Sequence, residues 1–276
     1  MSVPTSRIAF VGGGNMARSL IGGLVCAGVP GSHIAVAEPN ADQRDALVRD
    51  FGITAHTDSV DAARDADAIV FAVKPQVMKT ACASLREAMK ARKPVIVSIA
   101  AGIRIDQITA WLGDDLAIVR TMPNTPALIG AGAAALFANS HADAAQRQLA
   151  QSILEAAGLA VWIDDEALMD TVTALSGSGP AYFFLLVEAL EDAAVAQGLS
   201  RDTARALATQ TCLGAGRMLR EGGEAPTVLR QRVTSPKGTT QAAVESFEAS
   251  ELRSIVAHAV AAATKRGQEL SAQMGD

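Results

Sequence analysis

Residues 234–240 read TSPKGTT, and an alanine-rich helical stretch follows directly. A plain helix start needs one capping side chain. This one crowds hydroxyls, a proline, a lysine and a glycine into a single entrance. Backbone N–H groups at a helix start can bind a carboxylate with no cationic side chain. That fits a C-terminal half whose lysines are only Lys237 and Lys265. Ser235 and Pro236 suit the positions around the cap, and Gly238 exposes the amides that follow it. The expected donors are the amides of Gly238, Thr239 and Thr240. An elaborate helix cap with no ligand is the competing reading.

The other chemical signal lies at the opposite end, in RIAFVGGGNMARSLIGGL. Gly12, Gly14 and Ala17 satisfy GxGxxA between an apolar strand and a helix that starts near Asn15 and Met16. Gly12 permits the sharp turn, with Gly13 inside it. Gly14 lets a pyrophosphate approach the backbone, and Ala17 packs helix on strand. The helix N-terminus then faces the phosphates. The second strand ends in AEPNADQR. Glu38 stands where a ribose-binding acid is expected, favouring NAD, whereas Asn40 and Arg44 could turn toward a 2′-phosphate, favouring NADP.

Later strand ends add candidates. FAVKPQ (71–76) places Ala72, Val73, Lys74 and Pro75 past the third strand. In SIAAG (98–102), Ala100 and Ala101 are small enough for a flat ring to approach. In MPNTPA (122–127), Pro123 and Pro126 hold a loop in which Asn124 presents its amide or caps the loop. LSGSGPAY (175–182) reads as a helix entrance: Ser176 and Ser178 can cap, Pro180 fits the first turn, and the glycines allow close approach to a ligand, which makes Ser176 a candidate substrate contact.

The elements that must hold these residues follow from periodicity. Continuous apolar runs at 8–12, 34–38, 68–73, 95–100, 116–121, 133–138 and 159–163 suit strands buried on both faces. Helical stretches alternate with them, which predicts a doubly wound, mainly parallel sheet with ligands at the strand C-terminal edge. After about residue 164 the strand signal stops. Helices are expected over 180–198, over 201–221 with a break at Gly222–Gly223, from the 234–240 motif onward, and over about 250–270. The fold class is therefore α/β, with an N-terminal Rossmann-type domain at 1–163 and an all-α C-terminal domain at 164–276.

Composition narrows the function. The chain has 276 residues and a net charge of −5, with 4% aromatics, which argues against a basic or base-stacking nucleic-acid surface. Cys26, Cys82 and Cys212 are far apart with no CxxC pair, so neither a metal site nor a disulfide framework is expected. The densest apolar run, GPAYFFLLVEAL, meets Glu188 too early to span a bilayer. No leader pattern opens the sequence, and a cytoplasmic location without membrane contact is the expectation. His33, His56, His141 and His258 sit in unrelated contexts and are read as surface or loop residues.

IAFVGGGNMA, AVKPQ, SIAAG, MPNTPA, LSGSGPAY and VTSPKGTT occur in this order. The chain thereby resembles the pyrroline-5-carboxylate reductases over nearly its whole length. One departure is visible: the family often reads SPGGTT, and Lys237 replaces the first glycine. A positive φ at 237 would strain a lysine. The resemblance implies hydride transfer from NADP(H) or NAD(H) to 1-pyrroline-5-carboxylate, giving L-proline, the last step of proline biosynthesis. It also implies a helical domain that makes the dimer, and higher assembly, often a ring of five dimers. The substrate carboxylate would sit on the SPxGTT turn, with Thr240 as the catalytic hydroxyl at the ring nitrogen and Glu166 near the substrate. A protonated imine already carries the charge that makes its carbon electrophilic, so positioning dominates and no triad is needed.

The alternative is another two-domain dehydrogenase of the β-hydroxyacid type. Alcohol oxidation wants a general acid/base, often a lysine on the long helix. Residues 180–198 hold neither lysine nor histidine. A non-catalytic nucleotide sensor would have no need of the TSPKGTT loop.

Overall fold

The computed structural model describes residues 5–274. Its contacts divide the chain into two compact units, one running to Gly177 and taking in the residues from Ala263 on, the other Ser178–Ala262.

The first unit is built on an eight-stranded sheet. Its strands are β1 (Ile8–Val11), β2 (Ile34–Ala37), β3 (Thr54–His56), β4 (Ala68–Phe71), β5 (Val95–Ser98), β6 (Ile118–Met122), β7 (Gly132–Ala138) and β8 (Gly158–Trp162). They lie in the order β3-β2-β1-β4-β5-β6-β7-β8. All neighbours run parallel except β6 and β7. A short loop joins that pair, and a parallel return would need a crossover of roughly a dozen residues or more. The helices are α1 (Asn15–Cys26), α2 (Ala41–Phe51), α3 (Ser59–Ala63), α4 (Pro75–Ala91), α5 (Ile105–Leu112) and α6 (Ala144–Glu155).

Period-two alternation sends each strand into two cores. Ile8 and Phe10 of β1 join Leu20, Ile21 and Leu24 of α1 on one face. Ala9 and Val11 join Met78, Cys82 and Leu85 of α4 on the other. β1, β4 and β5 are buried along their whole length, which is why they read as unbroken apolar runs. β3 has no such run: its Thr54 is exposed at the sheet edge.

The stretch after β8 belongs by its contacts to this same unit. It forms a 3₁₀ turn at Glu166–Leu168, α7 (Met169–Val172) and a π turn at Thr173–Gly177. The last strand thus ends at Trp162, close to the 163/164 position where strand patterning stops, while the division between compact units falls at Gly177.

The second unit holds α8 (Gly179–Ala196), α9 (Arg201–Glu221), α10 (Pro226–Arg232), α11 (Thr239–Ala249) and part of α12 (Leu252–Gln273). Gly198, at φ +101, follows the end of α8, and Ser200 opens α9 by accepting from the Thr203 amide. Glu191 of α8 accepts from Arg205 and Arg201 of α9. The Arg205 guanidinium, then Arg201, hold its carboxyl below the usual carboxylate range against the opposing effect of burial. α10 went unread in the sequence because about two turns carry too little periodicity to be recognised. No described helix is long and apolar enough to cross a membrane.

Candidate active site

The glycine turn joins β1 to α1. Gly12 has φ +98, its amide donates to the Ala37 carbonyl at 2.8 Å, and a Cβ there would come within 2.7 Å of the Ala72 carbonyl oxygen. It is therefore glycine for steric reasons alone. Gly14 differs: φ is −67°, ψ is −176°, and a Cβ would meet nothing within 4 Å. No side chain caps α1 at Gly14, and no acid sits in its first turn. Open space above uncapped amides at Asn15 and Met16 is a cradle that fits a dinucleotide pyrophosphate.

Around this turn the first unit collects most of the predicted cofactor residues. Gly13 donates to Glu38 Oε2 at 2.8 Å. Ala72 donates to the Val11 carbonyl at 2.8 Å, and Val73 Cγ1 lies 3.0 Å from the position a Gly12 Cβ would take. Exposed Lys74 precedes α4 and Pro75 begins it. Ala100 is buried and Ala101 exposed just past β5. Burial pushes the Cys82 thiol up to about 12, so it is no nucleophile.

Several expectations need correcting. Asn124 does not hold its amide out for a ligand: Nδ2 donates to the Ser176 carbonyl at 2.9 Å and Oδ1 accepts from the Ala133 amide at 2.9 Å. It braces the β6–β7 loop against the π turn. Ser176 does not cap α8, because its hydroxyl donates back to the Val172 carbonyl at 3.0 Å, and Ser178 makes no capping bond either. Asn40 and Arg44 each already have a partner at the end of β2. Asn40 caps α2 by accepting from the Gln43 amide, and Arg44 NH1 donates to the Glu38 and Pro39 carbonyls.

Glu166 has partners the sequence did not reveal. Its Oε1 accepts from Arg120 NH1 and from the Ile105 amide, each at 2.9 Å. Arg120 lies on β6 with its side chain only 5% exposed. A lone arginine inside an apolar strand was the available signal, since a buried charge requires a partner.

In the second unit the TSPKGTT stretch forms one tight turn. The Gly238 amide donates to the Ser235 carbonyl at 3.0 Å. Gly238 thus spends its own donor on the turn, and the available amides shift to Thr239, Thr240 and Gln241. No side chain caps α11, so the elaborate-cap reading is not what the geometry supports. Among the described residues, no intramolecular hydrogen bond uses the Thr240 hydroxyl.

Lys237 has φ +59. Its amide donates to Gln241 Oε1 at 2.7 Å, and Gln241 Nε2 donates to Glu245 Oε1 at 2.6 Å. A left-handed non-glycine residue costs about 1–2 kcal/mol, of which glycine's extra unfolded-state entropy returns roughly half. Lys237→Gly should therefore stabilise the protein by about 0.5–1 kcal/mol, raising the thermal midpoint by about 2 °C. A lower midpoint would mean the lysine side chain makes a contact worth more than the strain.

Residues 166–270 match the family model for pyrroline-5-carboxylate reductase dimerisation, and residues 7–102 match that for NADP oxidoreductase, coenzyme F420-dependent. Among relatives, the pyrroline-5-carboxylate reductase of Pseudomonas aeruginosa is 50% identical over 98% of this chain and 99% of its own length. That of Vibrio alginolyticus is 40% identical, covering 96% and 97%. Among solved structures, a pyrroline-5-carboxylate reductase from Coxiella burnetii superposes with a TM-score of 0.95 at 43% identity, covering 97% and 99%. The Plasmodium falciparum pyrroline carboxylate reductase with NADP bound gives 0.82 at 28%, covering 97% and 98%.

Proposed function

The chain belongs to the pyrroline-5-carboxylate reductase family, and on that premise we propose how its residues divide the work. It is an oxidoreductase of proline biosynthesis that reduces 1-pyrroline-5-carboxylate to L-proline. The first unit has the NAD(P)-binding oxidoreductase fold. It holds the donor, NADP(H) or NAD(H), with Gly14, Asn15 and Met16 at the pyrophosphate and Glu38 at the adenosine ribose. Ala72, Val73, Lys74, Pro75, Ala100, Ala101 and the Asn124 loop line the strand C-terminal ends around it. When bound, the reduced nicotinamide supplies a hydride to the imine carbon.

The second unit fixes the substrate. The observation that carries this reading is the uncapped start of α11, where Ser235 closes the turn on Gly238 and leaves the Thr239 and Thr240 amides pointing out of the helix. Those amides receive the carboxylate, favoured by the positive end of the helix dipole. The Thr240 hydroxyl accepts from the protonated ring nitrogen and holds the imine in one orientation. The resemblance assigns Glu166 to the substrate, and Ser176 is a candidate beside it; both side chains have partners within the first unit.

The dimerisation match means that the chain self-associates. Apolar exposure on α8 accords with this, since Phe183, Phe184 and Leu185 are each more than half exposed. Assembly of dimers into a decamer, and a cytoplasmic location consistent with three free cysteines, complete the proposal.

Purified protein should oxidise NADPH or NADH when given pyrroline-5-carboxylate, and no turnover with either donor would reject the assignment. Thr240→Val should lower kcat/KM by about 10–100-fold, the loss of one hydrogen bond to a charged group. Dinucleotide affinity should not change. Wild-type kinetics in that variant would remove Thr240 from the site.

A further inference from the structure

Resting on the reading that the first unit binds a reduced dinucleotide, we infer that this site selects NADH over NADPH and that Glu38 makes the selection. Glu38 is only 8% exposed, and both its oxygens are anchored. Oε2 accepts from the Gly13 amide at 2.8 Å, and Oε1 accepts from the Asn40 amide at 2.9 Å. The side chain lies across the glycine turn, where a Gly13 Cβ would come within 3.2 Å of both Glu38 Cβ and Cγ. The carboxylate is thus fixed at the end of β2, beside the phosphate cradle, where a doubly wound sheet holds the adenosine ribose.

Two vicinal hydroxyls can donate to such a carboxylate. A 2′-phosphate cannot, and it would bring like charge against an acid with little water to screen it. An NADPH site answers that charge with a cation, and the nearby candidates already have partners. Arg44 NH1 is held by the Glu38 and Pro39 carbonyls at 2.8 Å each. The Asn40 side chain caps α2, accepting from the Gln43 amide at 3.0 Å. Arg18 pairs with Asp50 and stacks over the Phe51 ring, 5.0 Å from its centroid. The acid that suits a ribose is anchored at this place, whereas Arg44 turns NH1 to the backbone and Arg18 is paired with Asp50.

Calorimetric titration of the full chain with NADH and, separately, NADPH, without substrate, tests this. The wild type should bind NADH at least about tenfold more tightly. Glu38→Gln keeps the shape and the acceptor for the Gly13 amide while removing the charge. It should gain NADPH affinity, lose some NADH affinity with the charged ribose acceptor, and bring the ratio close to one. Equal or tighter NADPH binding by the wild type would overturn the inference, as would an unchanged ratio in Glu38→Gln. The wild-type ratio decides by itself if the variant does not fold. Binding of neither dinucleotide would sink the underlying cofactor reading along with this one, whereas equal binding of both would sink only the selection by Glu38.

Discussion

Gly14→Val should weaken dinucleotide binding by about a hundredfold or more while leaving the protein folded. Two charge-assisted hydrogen bonds from first-turn amides to a pyrophosphate, at about 1.5 kcal/mol each, correspond to that factor in Kd. The fold survives because Gly14 has φ −67° and ψ −176°, which any residue adopts, and open space where a side chain would go. What a valine fills is the ligand's volume. Gly12→Ala is the matched contrast. Its methyl group would lie 2.7 Å from the Ala72 carbonyl oxygen, at φ +98, so it should lower stability by about 1–3 kcal/mol and impair binding only through the fold. Fluorescence titration with the reduced cofactor, paired with thermal unfolding, separates the two. Normal titration of Gly14→Val would mean that the pyrophosphate lies elsewhere.

The same pair of glycines marks what could be read from the sequence. Gly12 and Gly14 were legible because the strand–turn–helix context assigns each glycine its task from local geometry alone. The strands β1, β4 and β5 were legible because burial on both faces forces unbroken apolar runs. β3 was not, since an edge strand of three residues with an exposed threonine has no such signature. The antiparallel β7 was legible as a strand, but its direction comes from loop length rather than composition. Side-chain partners were the least accessible. Asn124 and Ser176 looked like ligand contacts or caps because their types suit those tasks. Only the folded chain brings one to the other, and the resulting bond closes a loop. At the α11 entrance the sequence located the turn, and the positive φ at Lys237 matches the strain expected if a lysine takes the family's glycine position. Which amides remained free depended on the Ser235–Gly238 bond, a detail of turn type that residue types alone do not specify.

Arg120→Ala should be the most destabilising substitution within the first unit's polar interior, at about 3 kcal/mol, the lower part of the range for breaking a buried pair. The guanidinium is 5% exposed and the Glu166 carboxylate 18%, so the stranded acid regains some water and the full penalty is not reached. Glu166 also anchors the start of α5 by accepting the Ile105 amide. Losing the arginine therefore loosens three segments at once: β6, the entrance of α5 and the turn that leads to α7. Replacing both partners should be milder than removing one. Arg120→Met with Glu166→Leu eliminates both charges and retains most of the volume, leaving chiefly the unsatisfied Ile105 amide, worth about 1–3 kcal/mol. Denaturant unfolding of the two single variants and the double variant gives the coupling directly. Arg120→Ala within about 1 kcal/mol of wild type would mean that the pair is not what holds Glu166. The carboxylate would then be free for the substrate-facing part that the family resemblance assigns to it. With the pair intact, Glu166→Gln should lower the unfolding midpoint while leaving KM close to that of the wild type.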